Sequence, residues 1–222
     1  MSGPELVRAN DAEDAARRAA ELLASALEEA CSQRGAAHLA LSGGETPCRC
    51  YQLLAAADLD WPHVHIWLCD ERLVPEDDER SNLRLVRDTL GQVPARWHPV
   101  RGELAPPDAA HAYERELGDV VLDAALLGLG PDGHTASLFP RNAALEAPGR
   151  VAGVSDAPKP PPWRVSLTFA TLGAARSLVL LVTGSEKAPA LRAALGEPSP
   201  ATPASLLARE RLTVVASADA LA

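Results

Sequence analysis

The amino-acid sequence predicts an α/β protein built on a mostly parallel β-sheet. Short apolar runs alternate with longer amphipathic stretches along the whole chain of 222 residues, the pattern of strands joined by helical crossovers. Residues 123–129 (DAALLGL) form an almost continuous apolar run, as a central parallel strand buried on both faces requires. The polar motifs SGGETP, DER, GPDGH and GSEK each follow a predicted strand, and ligands of such sheets bind beyond the carboxyl ends of the strands.

Taken in order, residues 11–34 place Ala12, Ala15, Ala16, Ala19, Leu22, Leu23, Ala26, Leu27 and Ala30 on one helical stripe. Asn10 or Asp11 can cap its start and Gly35 follows its end. Residues 36–41 are a short buried strand, and 46–57 a helix with Thr46 as N-cap and Pro47 at its first position. A strand at 63–69 and a helix at 81–90, capped by Ser81 and Asn82, continue the alternation. A short strand near Val100, a helix at 108–117 and the run at 123–129 follow. Residues 156–162 (DAPKPPP) form a Pro-rich surface loop, too short to divide the chain, so residues 1–222 are expected to be one domain. Strands at 163–169, 177–182 and 212–215 complete the set, with a helix at 185–195 between the last two.

Composition bounds the function. With 47% hydrophobic residues the chain can fill a core unaided. A formal charge of −9 argues against nucleic acid and anionic membranes as partners, since phosphate backbones require a basic face. Any anionic ligand must be held by a local cationic cluster against the overall field. Cys31, Cys48, Cys50 and Cys69 have no CxxC spacing, which fits a reduced cytoplasmic setting. The CRC pair is expected to pack inertly on one helix. No apolar leader or membrane-length run is apparent. His63 and His65 alternate on a strand without partners at zinc spacing, so no metal is expected.

Four segments carry candidate chemistry. Gly43 and Gly44 allow a ligand close to the backbone, and the helix that follows offers free N–H groups to a phosphate; the same residues also suit a plain strand-to-helix turn. Glu45 would repel a phosphate unless it points away. Asp70 could meet a sugar hydroxyl and Arg72 could grip a phosphate by its fork, or the DER triplet could be a surface ion pair. His134 sits in a glycine-rich loop where its imidazole could take a proton from water. Asp132 could orient the ring, and N–H groups from Gly133 onward could stabilise an oxyanion; a capped turn with a surface histidine is the alternative. Lys187 falls in the first turn of a helix, against the dipole, where a ligand phosphate would explain it; a solvated helix residue is the other reading. Lysines are scarce: Lys159, in the Pro-rich loop, is the only other one. Arg164 could add a further positive charge.

LALSGGETP, WLCDERLVP with SNLRL, LLGLGPDGHTASLFP and LVLLVTGSEKA, in this order, resemble the 6-phosphogluconolactonases, within a wider group that includes glucosamine-6-phosphate deaminases. The resemblance spans nearly the whole chain, and GLGPDGHTASLFP is its most specific segment. It implies a parallel sheet with helices on both faces, a modified Rossmann-like fold, and hydrolysis of 6-phospho-D-glucono-1,5-lactone to 6-phospho-D-gluconate in the pentose phosphate pathway without metal or cofactor. His134 is implied as general base and Asp132 as the residue that places it. Arg72, Lys187 and the Gly43–Gly44 loop are implied to bind the 6-phosphate; Thr46, Asp70 and Arg164 are expected as further substrate or phosphate contacts on the reading of the residues themselves. Position 45 is often Ser or Thr in relatives and is Glu here. The sequence suggests a monomer or weak homodimer. Two alternatives remain: a sugar-phosphate isomerase or deaminase of the same fold, whose relatives usually carry a catalytic Glu after the histidine where TASLFP stands here, and a non-catalytic sugar-phosphate sensor.

Overall fold

The computed structural model describes residues 3–222. Its elements run β1 (Glu5–Ala9), α1 (Ala12–Arg34), β2 (Ala37–Leu41), α2 (Cys48–Ala55), β3 (Val64–Leu68), β4 (Asp70–Arg72), α3 (Asn82–Leu90), β5 (Arg96–Trp97), α4 (Pro106–Leu117), β6 (Ala124–Gly128), β7 (Val151–Val154), β8 (Arg164–Leu167), α5 (Phe169–Ala174), β9 (Ser177–Val182), α6 (Ala188–Leu195) and β10 (Leu212–Ser217). Seven strands form a wholly parallel sheet in the order β1-β10-β9-β6-β2-β3-β5. From β2 the chain steps outward to β3 and β5, then returns to the other side of β2 through β6. The order therefore reverses between β2 and β6, and the crevice at such a reversal is where ligands enter α/β sheets.

The sheet is buried on both faces, and the alternation of its side chains divides the core in two. Leu39, Leu41, Ile66, Leu126 and Val179 pack with Leu23 and Leu27 of α1 and with α2 and α3. Ala40, Trp67, Leu127 and Leu180 face the other way, toward α4, α6 and a second small sheet. Leu23 and Leu27 are fully buried, which stabilises the fold by about 1.5–3 kcal/mol each. α1 begins as predicted: the Asp11 side chain accepts the N–H of Asp14, and Gly35 closes the helix in the left-handed conformation with φ 75°.

Several elements depart from the sequence reading. β1 went unpredicted. The strand expected near Val100 is β5, a few residues earlier. α2 starts at Cys48 after Pro47 and has no side-chain cap, so Thr46 is not its N-cap. The segment 163–169 does not join the main sheet. Its β8 lies in an antiparallel sheet of order β4-β8-β7, and Phe169 already opens α5. Two of that sheet's strands, β4 and β7, were not foreseen. DER is therefore a strand, not a surface ion pair.

Glu71 explains how that strand is held. Its buried carboxylate accepts the N–H groups of Arg72 (2.6 Å), Asn82 (2.7 Å) and Leu83 (2.8 Å) and the Ser81 hydroxyl (3.0 Å). Burial raises its pKa against those lowering bonds. Ser81 also caps α3 by accepting the N–H of Arg84, whereas the Asn82 side chain turns to Asp70. Glu71→Ala strands three backbone donors at once and is expected to destabilise the protein by about 3 kcal/mol, read by urea unfolding; a loss within about 0.5 kcal/mol, the range of ordinary surface changes, would rule out this role.

No helix among the described residues is long and apolar enough to cross a membrane. Among those residues no group of three or more His, Cys, Asp or Glu is placed to hold a metal. His65 instead shares a 2.9 Å hydrogen bond with His98, and burial keeps it neutral down to about pH 4. Cys48 and Cys50 share α2 unpaired, and burial raises the Cys50 thiol to about 12, which leaves it unreactive.

Candidate active site

A cleft of about 380 Å³ opens over the carboxyl ends of β2, β3, β6 and β9. Gly43, Gly44, Thr46, Asp70, Arg72, His134, Arg164 and Lys187, residues from four separate sequence motifs and from β8, all line it. Asp132 stands behind His134 and bonds its ring.

The loop after β6 holds the imidazole. Gly130 N–H donates to the His134 carbonyl (2.8 Å), and the Thr135 hydroxyl to the Gly128 carbonyl (2.9 Å). A Cβ at Gly130 would lie 2.0 Å from His134 Nδ1, so only glycine lets the ring and the backbone come this close. Nδ1 is bonded to Asp132 Oδ1, and the ring packs on Phe139 with centroids 4.5 Å apart. Burial lowers the His134 pKa below its usual value, outweighing the raising effect of Asp132. For Asp132, burial is outweighed by the His134 hydrogen bond and charge, and its pKa falls. An ionised Asp132 accepts the Nδ1 proton, so Nε2 carries the free lone pair of a neutral imidazole. One expectation fails here. Gly133 N–H is spent on the Gly130 carbonyl (3.0 Å) and His134 N–H points to Asp132 Oδ1 (3.4 Å), so these two groups offer no oxyanion site.

The small antiparallel sheet supplies the charge. Its register sets Arg72 directly opposite Arg164, a like-charge pairing that destabilises a sheet unless an anion joins it. Neither arginine, nor Lys159, nor Lys187, has a carboxylate within 4.0 Å among the described residues. Arg72 gives one N–H to the Arg80 carbonyl (2.6 Å), and its buried Nε has no partner. Among the described residues, the other two orphaned buried side-chain atoms, Ser42 Oγ and Asn82 Oδ1, belong to residues lining the same cleft. Such orphans are expected where a ligand completes the set. Asp70 is fixed by Ser137 Oγ (2.6 Å) and Asn82 Nδ2 (3.3 Å). A Cβ at Gly43 would meet Asn82 Oδ1 at 1.8 Å, so the glycine loop and α3 close on each other only without a side chain there.

Lys187 sits just before α6, in a 3-10 turn at Ser185–Lys187, not within the helix's first turn. Glu45 is exposed but lines the cleft. Sequence reasoning missed Lys159, Asn82 and Ser42. For Lys159 a signal existed: both lysines of the chain line this one cleft.

The family model for glucosamine-6-phosphate isomerases/6-phosphogluconolactonase matches residues 10–216. A 6-phosphogluconolactonase of Mycobacterium tuberculosis is 38% identical over 204 residues, covering 82% of each chain. The crystal structure of a 6-phosphogluconolactonase from Shewanella baltica superposes with a TM-score of 0.90 at 30% identity, covering 98% of this chain and 99% of that one. A monomeric glucosamine-6-phosphate deaminase superposes at 0.84 with 23% identity, over 98% of this chain and all of that one, a likeness of fold alone. Matched along nearly its full length by both sequence and structure, the chain belongs to the glucosamine-6-phosphate isomerase/6-phosphogluconolactonase family.

Proposed function

We propose that this protein hydrolyses 6-phospho-D-glucono-1,5-lactone to 6-phospho-D-gluconate, in the pentose phosphate pathway and in the cytoplasm, as a monomer or weak homodimer. The observation that carries the reading is a neutral imidazole with a free Nε2 in the same cleft as four cationic side chains that lack carboxylate partners. The Mycobacterium tuberculosis and Shewanella baltica relatives are 6-phosphogluconolactonases, which supports the same substrate here.

In the proposed mechanism, Arg72, Lys187 and the N–H groups of the Gly43–Gly44 loop hold the 6-phosphate. Asp70, already fixed by Ser137 and Asn82, receives a sugar hydroxyl, and Thr46 borders the phosphate end. Fixing the phosphate fixes the ring, so the attack loses much of its entropic barrier. His134 Nε2 takes a proton from water as its oxygen bonds to the lactone carbonyl carbon, and Asp132 balances the imidazolium that forms. The carbonyl electron pair moves to the oxygen. When it returns, the bond from the carbonyl carbon to the ring oxygen breaks, and His134 passes its proton to the departing oxygen. No covalent enzyme intermediate arises.

The test is incubation of the protein with freshly generated 6-phosphogluconolactone. Release of 6-phosphogluconate well above the spontaneous rate is expected. A rate equal to spontaneous opening, or ammonia release from glucosamine 6-phosphate, would replace this reading with a sensor or a deaminase.

A further inference from the structure

Arg164 was expected to contact substrate and lines the cleft, and each of its nitrogens also makes a hydrogen bond within the protein. It is buried, with Nε donating to the Pro161 carbonyl (3.1 Å), Nη2 to the Lys159 carbonyl (2.9 Å) and Nη1 to Ser137 Oγ (3.5 Å). Two of these bonds seize the backbone of the Pro-rich loop from beneath. The side chain that this loop turns into the cleft is Lys159, which is exposed and has no carboxylate partner. The Arg164 guanidinium lies 5.4 Å from the Phe139 ring, and Phe139 packs on His134. The clamp and the imidazole are thus separated by one aromatic ring, so the clamped loop lies at the His134 end of the cleft.

The loop that carries His134 offers no backbone donor for the reaction at Gly133 or His134. The N–H groups of Gly133 and His134 are engaged within the loop, yet the lactone carbonyl becomes an oxyanion as water adds. We propose that Lys159 is a catalytic residue whose ammonium stabilises the oxyanion at the lactone carbonyl, and that Arg164 is the positioning residue that holds the Lys159 loop over His134. The inference rests on the lactonase reading and deepens it. The step balances without any further reactant: water gives one proton to His134, the carbonyl pair becomes the oxyanion beside Lys159, and the pair returns as the ring oxygen leaves with the His134 proton. The proximity has a second consequence. Among cations, Lys159 weighs most on the His134 ring, and it disfavours the protonated form. The lysine that stabilises the oxyanion thereby also keeps the base ready.

Lys159→Met, Lys159→Arg and Arg164→Gln test the proposal. Lys159 is exposed, so its substitution does not threaten the core. Lys159→Met is expected to lower kcat by about 10²-fold, the loss typical of one oxyanion donor, with KM changed by less than about threefold. It should also raise the His134 titration midpoint, followed by NMR on the ligand-free protein. Lys159→Arg should restore part of kcat and the original midpoint. Arg164→Gln should show the same kcat loss and upward shift in weaker form. In a hydrolytically active protein, an unchanged kcat in Lys159→Met, or a raised KM with kcat intact, overturns the proposal. Absence of hydrolysis in the unsubstituted protein would instead strike the lactonase reading, and the NMR midpoint would still report whether Lys159 stands over His134.

Discussion

His134→Ala is expected to lower kcat by about 10²–10⁴ while KM stays within a few-fold. The asymmetry follows from the division of the cleft. In the proposed mechanism the imidazole moves a proton only as the transition state forms, whereas the phosphate is held elsewhere. The pH profile should carry the same signature. Because burial holds the His134 pKa below 6.5, the base stays unprotonated through neutral pH. Activity is therefore present above the lowered pKa and lost as pH falls through it, so the acid limb of kcat/KM should lie below pH 6.5. His134→Ala should abolish that limb along with most of the rate. A variant with normal turnover would remove His134 from the mechanism.

Removing the phosphate from the substrate should be as damaging. Unphosphorylated glucono-1,5-lactone offers the same carbonyl but leaves the cations Arg72 and Lys187 of the cleft without an anion. A site built around a charged group rejects an analogue lacking it by about 10⁴-fold in kcat/KM. Arg72→Ala provides the complementary half of the comparison. It is expected to raise KM for the phosphorylated lactone by about 10²-fold, the range for losing one charge-assisted partner, and to leave the unphosphorylated lactone nearly unaffected. The two changes are coupled in the sense of a double-mutant cycle. If Arg72→Ala slows both lactones equally, the arginine acts on the fold or the chemistry and not on the phosphate.

The main sheet was legible in the sequence because it is buried on both faces. Its central strands become unbroken apolar runs, such as 123–129, and its helices keep a stripe such as Leu23 and Leu27. The second sheet left no such trace. β4 has three residues and β7 four, too few for a period to register, and their pairing is decided by contacts far along the chain. β1 is an edge strand with only Ala9 buried, so its pattern reads as polar. The same limit applied to the site. His134, Asp132, Asp70, Arg72 and Lys187 could be picked out as candidates because each stands in a motif that follows a main-sheet strand. Lys159 was not, because it reaches the cleft only through bonds from Arg164 to its loop. Thr46 was misread as a cap because the helix begins one step later, after Pro47. The N–H of Gly133 was misread as free because the turn that consumes it is visible only in three dimensions.

The placement of β10 bears on how the molecule comes into being. β10 lies between β1 and β9 and pairs with both, Leu6 opposite Val214 and Val214 opposite Leu180. β1 thus has no partner in the sheet until β10, far along the chain, has been made. During synthesis α1 can settle on β2, β6 and β9, yet β1 waits as an unsatisfied ribbon beside an open sheet margin. Such waiting edges are the segments a nascent polypeptide most needs shielded from its neighbours, and closure by β10 is the event that ends the exposure.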